Sequence, residues 1–325
     1  MVDSAGTDGG GRTGSADGGS DGAGYMGFVG VTTGGSSINR VFPRWAEILG
    51  LPTDRLVGHD LPLDADDAQY RDLVKRIRDD PAHLGALVTT HKLRLYQAAH
   101  DLFDEVDEFA QLCGEISSIA KRDGKLVGGA KDPITAGLAV QDFLPDGYFG
   151  ATGAEVVCLG AGGAGTALVW YLGQRADRPR RIVCTDTDPS RLAHLRGVVE
   201  RGGLPTDLVG YRLVADSGDI GALLDALPDG SLVVNATGLG KDRPGTPLPP
   251  GARLPRDGYA WDFNYRGSLE FLHQAVAQRD ERGLTVVDGW RYFIHGWSQA
   301  IAEIFGVPVD PPTVRRLSAA AEAVR

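Results

Sequence analysis

The fold of this chain is decided by the stretch Val156-Val157-Cys158-Leu159-Gly160-Ala161-Gly162-Gly163-Ala164-Gly165. An apolar β-type run leads into G-x-G-x-x-G, and a helical pattern follows over residues 167–172. The first glycine of such a motif allows a tight turn, the second lets a pyrophosphate approach the backbone, and the third lets the helix pack on the strand. Free N–H groups at the helix start favour an anion. The dinucleotide-binding residues that follow from this motif are Gly160, Gly162, Gly163, Ala164 and Gly165.

The surroundings of the motif strengthen this interpretation, because glycine is common here, at 46 of 325 residues, and a Gly-rich turn in another α/β protein is the alternative. A second β-type run, residues 181–185, ends in Asp186, about 20 residues beyond the motif, where a ribose-binding acid is expected. A carboxylate accepts hydrogen bonds from ribose hydroxyls but repels a 2′-phosphate. Asp186 therefore predicts NAD rather than NADP as the cofactor.

Two other interpretations of this region stay open. Asp186 could instead cap the helix that starts near Pro189. Arg191 is a candidate ligand for a 2′-phosphate, although its spacing indicates a solvated helix face.

Composition narrows the classes of function. The formal net charge is −10 and no block is rich in Lys or Arg, which argues against nucleic acid or an anionic membrane as the main partner. The three cysteines show no C-x-x-C spacing, so we expect neither a disulfide framework nor a metal site. No apolar run is long enough for a membrane span, and the first residues do not form a signal peptide. We expect a cytoplasmic enzyme, monomeric or homodimeric.

The pattern along the chain predicts two α/β domains after a disordered Gly/Ser/Asp-rich tail over residues 1–24. The first, an α/β sandwich over 25–145, binds substrate and is completed by helices within 290–325; the second, over 146–289, is a doubly wound Rossmann domain. In the first domain, residues 93–109 have a helical period throughout. The Rossmann strands are predicted at 155–159, 181–185, 231–235, 260–264 and 285–287.

Several motifs in this order resemble the shikimate/quinate dehydrogenase family. The segment Val88-Thr89-Thr90-His91-Lys92 corresponds to the family's V-T-x-P-x-K, one residue shorter and without the proline, and Gly128-Gly129-Ala130-Lys131-Asp132 corresponds to its G-x-N-T-D. The resemblance implies that Lys92 and Asp132 are catalytic. It also implies that Asn235, Thr237 and Gly238, in the intact N-A-T-G-L-G segment, border the nicotinamide side of the cofactor, and that Tyr265, in D-F-N-Y, helps bind the substrate carboxylate.

The departures from the family lie in the substrate pocket. Its S-x-S clamp appears as Ser36-Ser37-Ile38, a substrate-binding asparagine has become Ser117, and the position of a glutamine on the return helix is Gly296. The resemblance leaves Ser36, Thr89, Ser117 and Tyr265 as the substrate-binding residues. Half of the carboxylate clamp is lost, which favours a ring substrate without a carboxylate.

A lysine and an aspartate suit proton transfer to or from an alcohol oxygen, because burial lowers the pKa of the lysine while the carboxylate raises it and holds the ammonium in place. Unrelated surface charges are the alternative for two residues so far apart in the chain. Lys131 and Arg40 are interpreted either as anion ligands or as solvated side chains, and His91 either as a structural residue or as a group that tunes Lys92.

We therefore expect an NAD-dependent oxidoreductase that interconverts a ring alcohol and a ring ketone of a cyclitol or aminocyclitol, a small polyol. Quinate or shikimate is the alternative substrate, because Ser36 and Tyr265 are retained. A dinucleotide-binding regulator without turnover is the alternative of another class, although it would not need both Lys92 and Asp132.

Overall fold

The computed structural model of the chain describes residues 24–215, 218–241 and 243–325. The tail predicted over 1–24 lies outside the described residues, apart from Gly24. Two six-stranded sheets organise the described chain. Within these residues, no helix is long and apolar enough to cross a membrane.

The first sheet has the strand order β2-β1-β3-β5-β6-β4 and is mixed. Strand β1 pairs in parallel with β2 and β3, and β5 runs antiparallel to both β3 and β6. The strands are β1 Tyr25–Gly30, β2 Leu56–Asp60, β3 His83–Val88, β4 Glu105–Val106, β5 Ser118–Arg122 and β6 Lys125–Gly129. The helices of this half are α1 Ile38–Leu49, α2 Asp67–Asp79, α3 Lys92–Ala99, α4 Glu108–Cys113 and α5 Asp132–Gln141.

The single helix predicted over 93–109 is wrong. Helix α3 ends at Ala99, a 3₁₀ turn follows, and strand β4 separates α3 from α4. The chain leaves the helix because β4 pairs with β6, and because the Asp104 carboxylate accepts from the Leu126 N–H at 2.7 Å. Asp107 then starts α4 by accepting from the Ala110 N–H at 2.7 Å. Here, long-range pairing overrides a helical period.

The second sheet is entirely parallel, with the order β12-β11-β10-β7-β8-β9. This is the doubly wound arrangement, and its order reverses between β7 and β10, where such sheets bind their ligands. The strands are β7 Val156–Leu159, β8 Ile182–Asp186, β9 Val209–Leu213, β10 Leu232–Asn235, β11 Tyr259–Asp262 and β12 Thr285–Val287. The helices are α6 Tyr148–Thr152, α7 Gly163–Gln174, α8 Pro189–Arg201, α9 Gly218–Asp225 and α10 Glu270–Arg282.

The last two helices, α11 Trp290–Phe305 and α12 Pro311–Glu322, return to the first sheet. Phe293 and Trp297 of α11 are buried in one hydrophobic cluster with Trp45 of α1. The Trp45 indole also donates to the Leu317 carbonyl of α12 at 2.8 Å. The predicted α/β fold class is confirmed, whereas the domain bounds remain a prediction.

Candidate active site

The predicted catalytic pair meets at one edge of the first sheet. Lys92 is the first residue of α3, which follows β3, and Asp132 is the first residue of α5, which follows β6. Strands β3 and β6 run in the same direction, so their carboxyl ends share an edge. The Lys92 Nζ atom lies 2.6 and 2.5 Å from the two carboxylate oxygens of Asp132. Their side chains are 18% and 6% exposed, so the pair is a buried ion pair and not two unrelated surface charges.

Local charges set the protonation of Lys92. Burial lowers the pKa of its ammonium, but the carboxyl groups of Asp132 and Glu115 outweigh burial and raise the pKa above its ordinary value. Lys92 is therefore an ammonium at neutral pH. In this state it can donate a proton to an oxygen on which negative charge develops.

Ser117 fixes the helix end that carries Asp132. Its hydroxyl accepts from the Lys131 N–H at 2.7 Å and lies 3.4 Å from the Gly129 carbonyl, to which it donates. These backbone contacts use much of the hydrogen-bonding capacity of the hydroxyl. The contact of Ser117 with substrate stays a prediction, and its observed contacts position α5.

The side chain of Lys131 forms ion pairs within the protein. Its Nζ atom lies 3.0 Å from Asp107 Oδ2 and 3.2 Å from Glu303 Oε2, and the residue is 9% exposed. The alternative that Lys131 is solvated is therefore wrong, and its charge is already paired. Arg40, the other candidate anion ligand, is exposed on α1.

The remaining predicted substrate residues lie at the ends of β1 and β3 and after β11. Ser36 is buried, and its hydroxyl neighbours that of Tyr265. Burial raises the pKa of Tyr265, against the opposing effects of Ser36 and the Arg266 guanidinium. The Thr89 hydroxyl donates to the Val29 carbonyl at 3.0 Å.

Two histidines near these segments are structural. His91 bridges the Tyr70 hydroxyl at 2.8 Å and the Leu61 carbonyl at 3.0 Å, and it is 2% exposed. His295 of α11 lies 2.8 Å from the Asp142 carboxylate, just after α5. Among the described residues, no group of three or more His, Cys, Asp or Glu side chains is arranged to hold a metal ion.

The glycine-rich loop after β7 has the close packing that its sequence predicts. Gly160 has φ +106°, and a Cβ there would lie 2.7 Å from the Ala236 carbonyl carbon after β10. A Cβ on Gly165 would collide with the Gly160 carbonyl oxygen. In contrast, Gly162 faces open space, with no atom within 4 Å of a Cβ placed there. Helix α7 starts at Gly163, so its free N–H groups border the space where a pyrophosphate fits.

The second loop at the reversal point is built by Asn235. Its side-chain oxygen accepts from the Thr237 hydroxyl at 2.7 Å, and its amide donates to Asp262 at 3.1 Å. Burial raises the pKa of Asp262 to about 7, against the lowering effect of hydrogen bonds from the Asn264 backbone N–H and the Asn235 side-chain amide. Gly238 has φ +76°, a conformation that glycine adopts without strain. Asn235, Thr237 and Gly238 thus belong to a hydrogen-bonded turn that packs directly against the glycine-rich loop at Gly160.

Asp186 ends β8 and is 8% exposed. Its carboxylate accepts from the Ala161 N–H at 2.8 Å and the Asp188 N–H at 2.9 Å. Helix α8 is capped by Asp188, whose side chain accepts from the Ser190 N–H, so the capping interpretation of Asp186 is wrong. Arg191 lies 3.9 Å from both carboxylates.

The sequence did not predict a functional role for two buried residues of the site. Glu115 is fully buried, and neither carboxyl oxygen has a hydrogen-bond partner. The Tyr292 hydroxyl of α11 is also buried, and it lies beside the Asp132 carboxylate. Burial, together with the negative charges of Asp132 and Glu115, raises the pKa of Tyr292 well above its ordinary value. No motif marks either residue, and only the folded chain brings them to Lys92.

Named relatives match most of the chain. A Streptococcus gordonii protein named shikimate dehydrogenase (NADP(+)) is 30% identical over 216 residues, 66% of this chain and 70% of that protein. A protein of the same name from Chelativorans sp. (strain BNC1) is 30% identical over 245 residues, 74% of this chain and 79% of that protein. The chain belongs to the shikimate dehydrogenase-like family. No protein-family model matches it.

Solved structures share the fold of this shikimate dehydrogenase-like chain. Shikimate dehydrogenase 1 from Peptoclostridium difficile superposes with a TM-score of 0.71 at 17% identity, over 92% of this chain and 98% of that one. The quinate dehydrogenase from Corynebacterium glutamicum, in complex with NAD, gives 0.67 at 23% identity, over 93% and 99%. The 5-ketofructose reductase of Gluconobacter sp. strain CHM43 gives 0.63 at 18% identity, over 93% and 99%. The predicted family and its two-domain Rossmann fold are thereby confirmed, and the predicted class of nicotinamide-dependent oxidoreductase is supported.

Replacing Lys92 with alanine tests the catalytic pair. We expect Lys92→Ala to lower the turnover number at least about 100-fold, because general acid–base help of this kind contributes ~10²–10⁴-fold. The affinity for reduced nicotinamide cofactor, followed by fluorescence titration, should stay within about twofold. Lys75→Ala is the matched control, because Lys75 is an exposed lysine paired with Asp72 on α2.

A second variant separates catalysis from stability. Lys92→Ala leaves the Asp132 carboxylate buried and unpaired, which costs stability. The double variant Lys92→Ala/Asp132→Ala removes both charges and should fold at least as stably as the single variant, yet stay equally inactive. Turnover by the double variant at the wild-type rate would contradict the assignment.

Proposed function

We propose that this chain interconverts a ring alcohol and a ring ketone of a polyhydroxylated carbocycle without a carboxylate, a cyclitol or aminocyclitol. The observation that carries this proposal is the buried pair of Lys92 and Asp132, which lies beside a dinucleotide loop while much of the family's carboxylate clamp is missing. Family membership supports the oxidoreductase class. The substrate class and the NAD preference are our inference.

The chemistry divides between cofactor and protein. A nicotinamide dinucleotide supplies or accepts the hydride at the ring carbon when bound, with its pyrophosphate on the loop of Gly160, Gly162, Gly163, Ala164 and Gly165. In the reducing direction, the Lys92 ammonium donates a proton to the developing alkoxide oxygen. In the oxidising direction, the amine accepts that proton once Lys92 has lost its own, which its raised pKa favours only at alkaline pH, and Asp132 holds the side chain in place in both directions.

The substrate class follows from what the former clamp positions now contact. Ile38 is fully buried in the hydrophobic cluster of α1 and α11 and offers no hydroxyl. A Cβ on Gly296 would lie 3.6 Å from Thr135, so the missing glutamine side chain leaves room beside α5. Lys92 and Lys131 are both paired with carboxylates, and Glu115 adds a further carboxyl group that is fully buried. This environment favours a neutral or cationic ring over an anionic one.

A carboxylated ring such as quinate or shikimate is the second candidate, and a specific observation favours it. The Arg266 guanidinium lies close enough to the Tyr265 hydroxyl to lower the pKa of that group, and the Ser36 hydroxyl is also next to it. A cation with two hydroxyls is a suitable carboxylate site.

An assay of nucleotide reduction tests the proposal. Shikimate, quinate and a panel of uncarboxylated cyclitols and aminocyclitols are each offered with NAD and with NADP, and absorbance is followed. We expect turnover with uncarboxylated rings and at least about tenfold lower kcat/KM with quinate and shikimate, a difference of about 1.4 kcal/mol. Efficient turnover of quinate or shikimate, lost in Arg266→Ala, would establish the second candidate instead. Dinucleotide binding without turnover of any ring would support a regulator.

We further propose NAD as the preferred cofactor. The carboxylates of Asp186 and Asp188 stand together at the end of β8, where a 2′-phosphate would be repelled. Arg191 is shared between these two acids at 3.9 Å and does not leave the region cationic. The curated relatives are named for NADP(+), and the NAD-bound quinate dehydrogenase shows that both cofactors occur on this fold.

Two charge-removing variants test this preference. Asp186→Asn keeps an oxygen acceptor for one of the two N–H groups, those of Ala161 and Asp188, and removes the negative charge, so we expect the ratio of kcat/KM for NAD over NADP to fall at least fivefold. Arg191→Ala should leave kcat/KM with NAD within about twofold. A wild-type preference for NADP that Arg191→Ala abolishes would show that Arg191 binds the 2′-phosphate and that the NAD assignment is wrong.

A further inference from the structure

Glu115 is a buried acid without a partner in the protein. It follows Gly114, the residue in a left-handed conformation that ends α4, and its relative exposure is 0%. Neither carboxyl oxygen makes a hydrogen bond. A buried polar group without a partner costs about 1–3 kcal/mol, so such a group in a binding cleft indicates a partner supplied by a ligand.

The backbone that carries Glu115 is fixed to the dinucleotide-binding half. The Cys113 carbonyl accepts from the His194 ring at 2.8 Å, and the Leu112 carbonyl accepts from Arg201 at 2.9 Å. Both donors lie on α8 of the Rossmann sheet. The segment just before Glu115 is therefore joined to the half of the chain that contains the glycine-rich loop.

Its position lies between the two ends of the cleft. On one side, the Oε2 atom packs against Gly163, and a Cβ at that residue would collide with it. On the other side, the N–H of the next residue, Ile116, donates to the Lys92 carbonyl at 3.1 Å, and the carboxyl group interacts electrostatically with Lys92 and Asp132. Glu115 thus spans the interval from the first turn of α7 to the catalytic pair.

The order in which the parts of a nicotinamide dinucleotide are bonded determines which part would lie between the first turn of α7 and Lys92. The pyrophosphate fits the N–H groups at the start of α7, and the nicotinamide must reach the carbon whose oxygen contacts Lys92. The ribose that joins these two parts lies between them and carries two hydroxyl groups. A carboxyl group is a good partner for a pair of ribose hydroxyls.

We propose that Glu115 binds the hydroxyl groups of the nicotinamide-side ribose. This inference rests on the dinucleotide use stated above, and it adds a cofactor contact outside the glycine motif. The protonation of the group is compatible with a nearby pyrophosphate. Burial and the Asp132 charge raise the pKa of Glu115 to about 8, against the lowering effect of Lys92, so the carboxyl group is largely neutral at pH 7. A neutral acid both donates to and accepts from hydroxyls without placing a full negative charge beside the phosphates.

Binding of truncated ligands tests the proposal independently of turnover. ADP-ribose differs from ADP by the ribose in question, so calorimetric titration of ADP, ADP-ribose and NADH isolates this contact. We expect Glu115→Ala to weaken ADP-ribose and NADH about tenfold and to leave ADP within about twofold. Glu115→Gln keeps hydrogen-bonding capacity and should lose less than Glu115→Ala. Glu108→Ala is the matched control, because Glu108 is an exposed acid on α4, the helix that precedes Glu115.

Three results would overturn the proposal. Equal weakening of ADP, ADP-ribose and NADH would mean that Glu115 supports the loop and not the ribose. Unchanged dinucleotide affinity with a raised KM for the ring substrate would assign the carboxyl group to substrate binding. Failure of the wild-type chain to bind any of the three ligands, or NADPH, would reject both this inference and the dinucleotide function. Binding of NADH with the predicted pattern but without turnover of any ring would reject the proposed reaction alone.

Discussion

The buried ion pair of Lys92 and Asp132 is the interaction on which the cleft depends. Neither charge is stable in this environment alone, because desolvation of an unpaired ion costs several kcal/mol. The pair joins the first residues of α3 and α5, two helices that start at the carboxyl edge of the first sheet. Ser117 secures the backbone just before Asp132, so the fold fixes the position of the charge pair.

Carboxyl groups dominate the electrostatics around this pair. Asp132 is paired with Lys92, while burial raises the pKa of both Glu115 and Asp262 toward neutral pH. The nearby lysine Lys131 is paired with acids of its own. The cleft can therefore hold neutral acids as hydrogen-bond partners while its one catalytic cation remains protonated. Such a balance suits a reaction in which a negative charge forms briefly on a ring oxygen.

Much of the fold could be predicted because its motifs are local. The glycine loop, the short apolar strands and the acid after β8 each have a recognisable spacing, and the structure contains all of them. Strand β9, which residues 209–213 form, was not predicted because it is an edge strand with exposed side chains and little apolar pattern. The break within residues 93–109 depends on pairing with β6, which lies about 20 residues away and leaves no mark on the helical period.

Site residues that belong to a family motif could be predicted from the sequence. Residues whose role depends only on their burial in the folded chain could not. Lys92 and Asp132 are 40 residues apart, and only the motifs connect them in the sequence. No motif marks Glu115, and Tyr292 is one of several aromatic residues on α11. The unpartnered carboxyl group of Glu115 and the buried hydroxyl of Tyr292 are properties of the folded chain. The ion pair of Lys131 with Asp107 and the hydrogen bond of His91 with Tyr70 also form only in the folded chain.

The most direct test of this account follows a labelled hydride. Reduced cofactor with deuterium at both hydrogen positions of nicotinamide C4 is incubated with a ring ketone that lacks a carboxylate, and the alcohol product is examined by mass spectrometry. The account predicts one deuterium on the carbinol carbon, formed by the wild-type chain and at least about 100-fold more slowly by Lys92→Ala. Product without the label, or labelled product formed by Lys92→Ala at the wild-type rate, would contradict it.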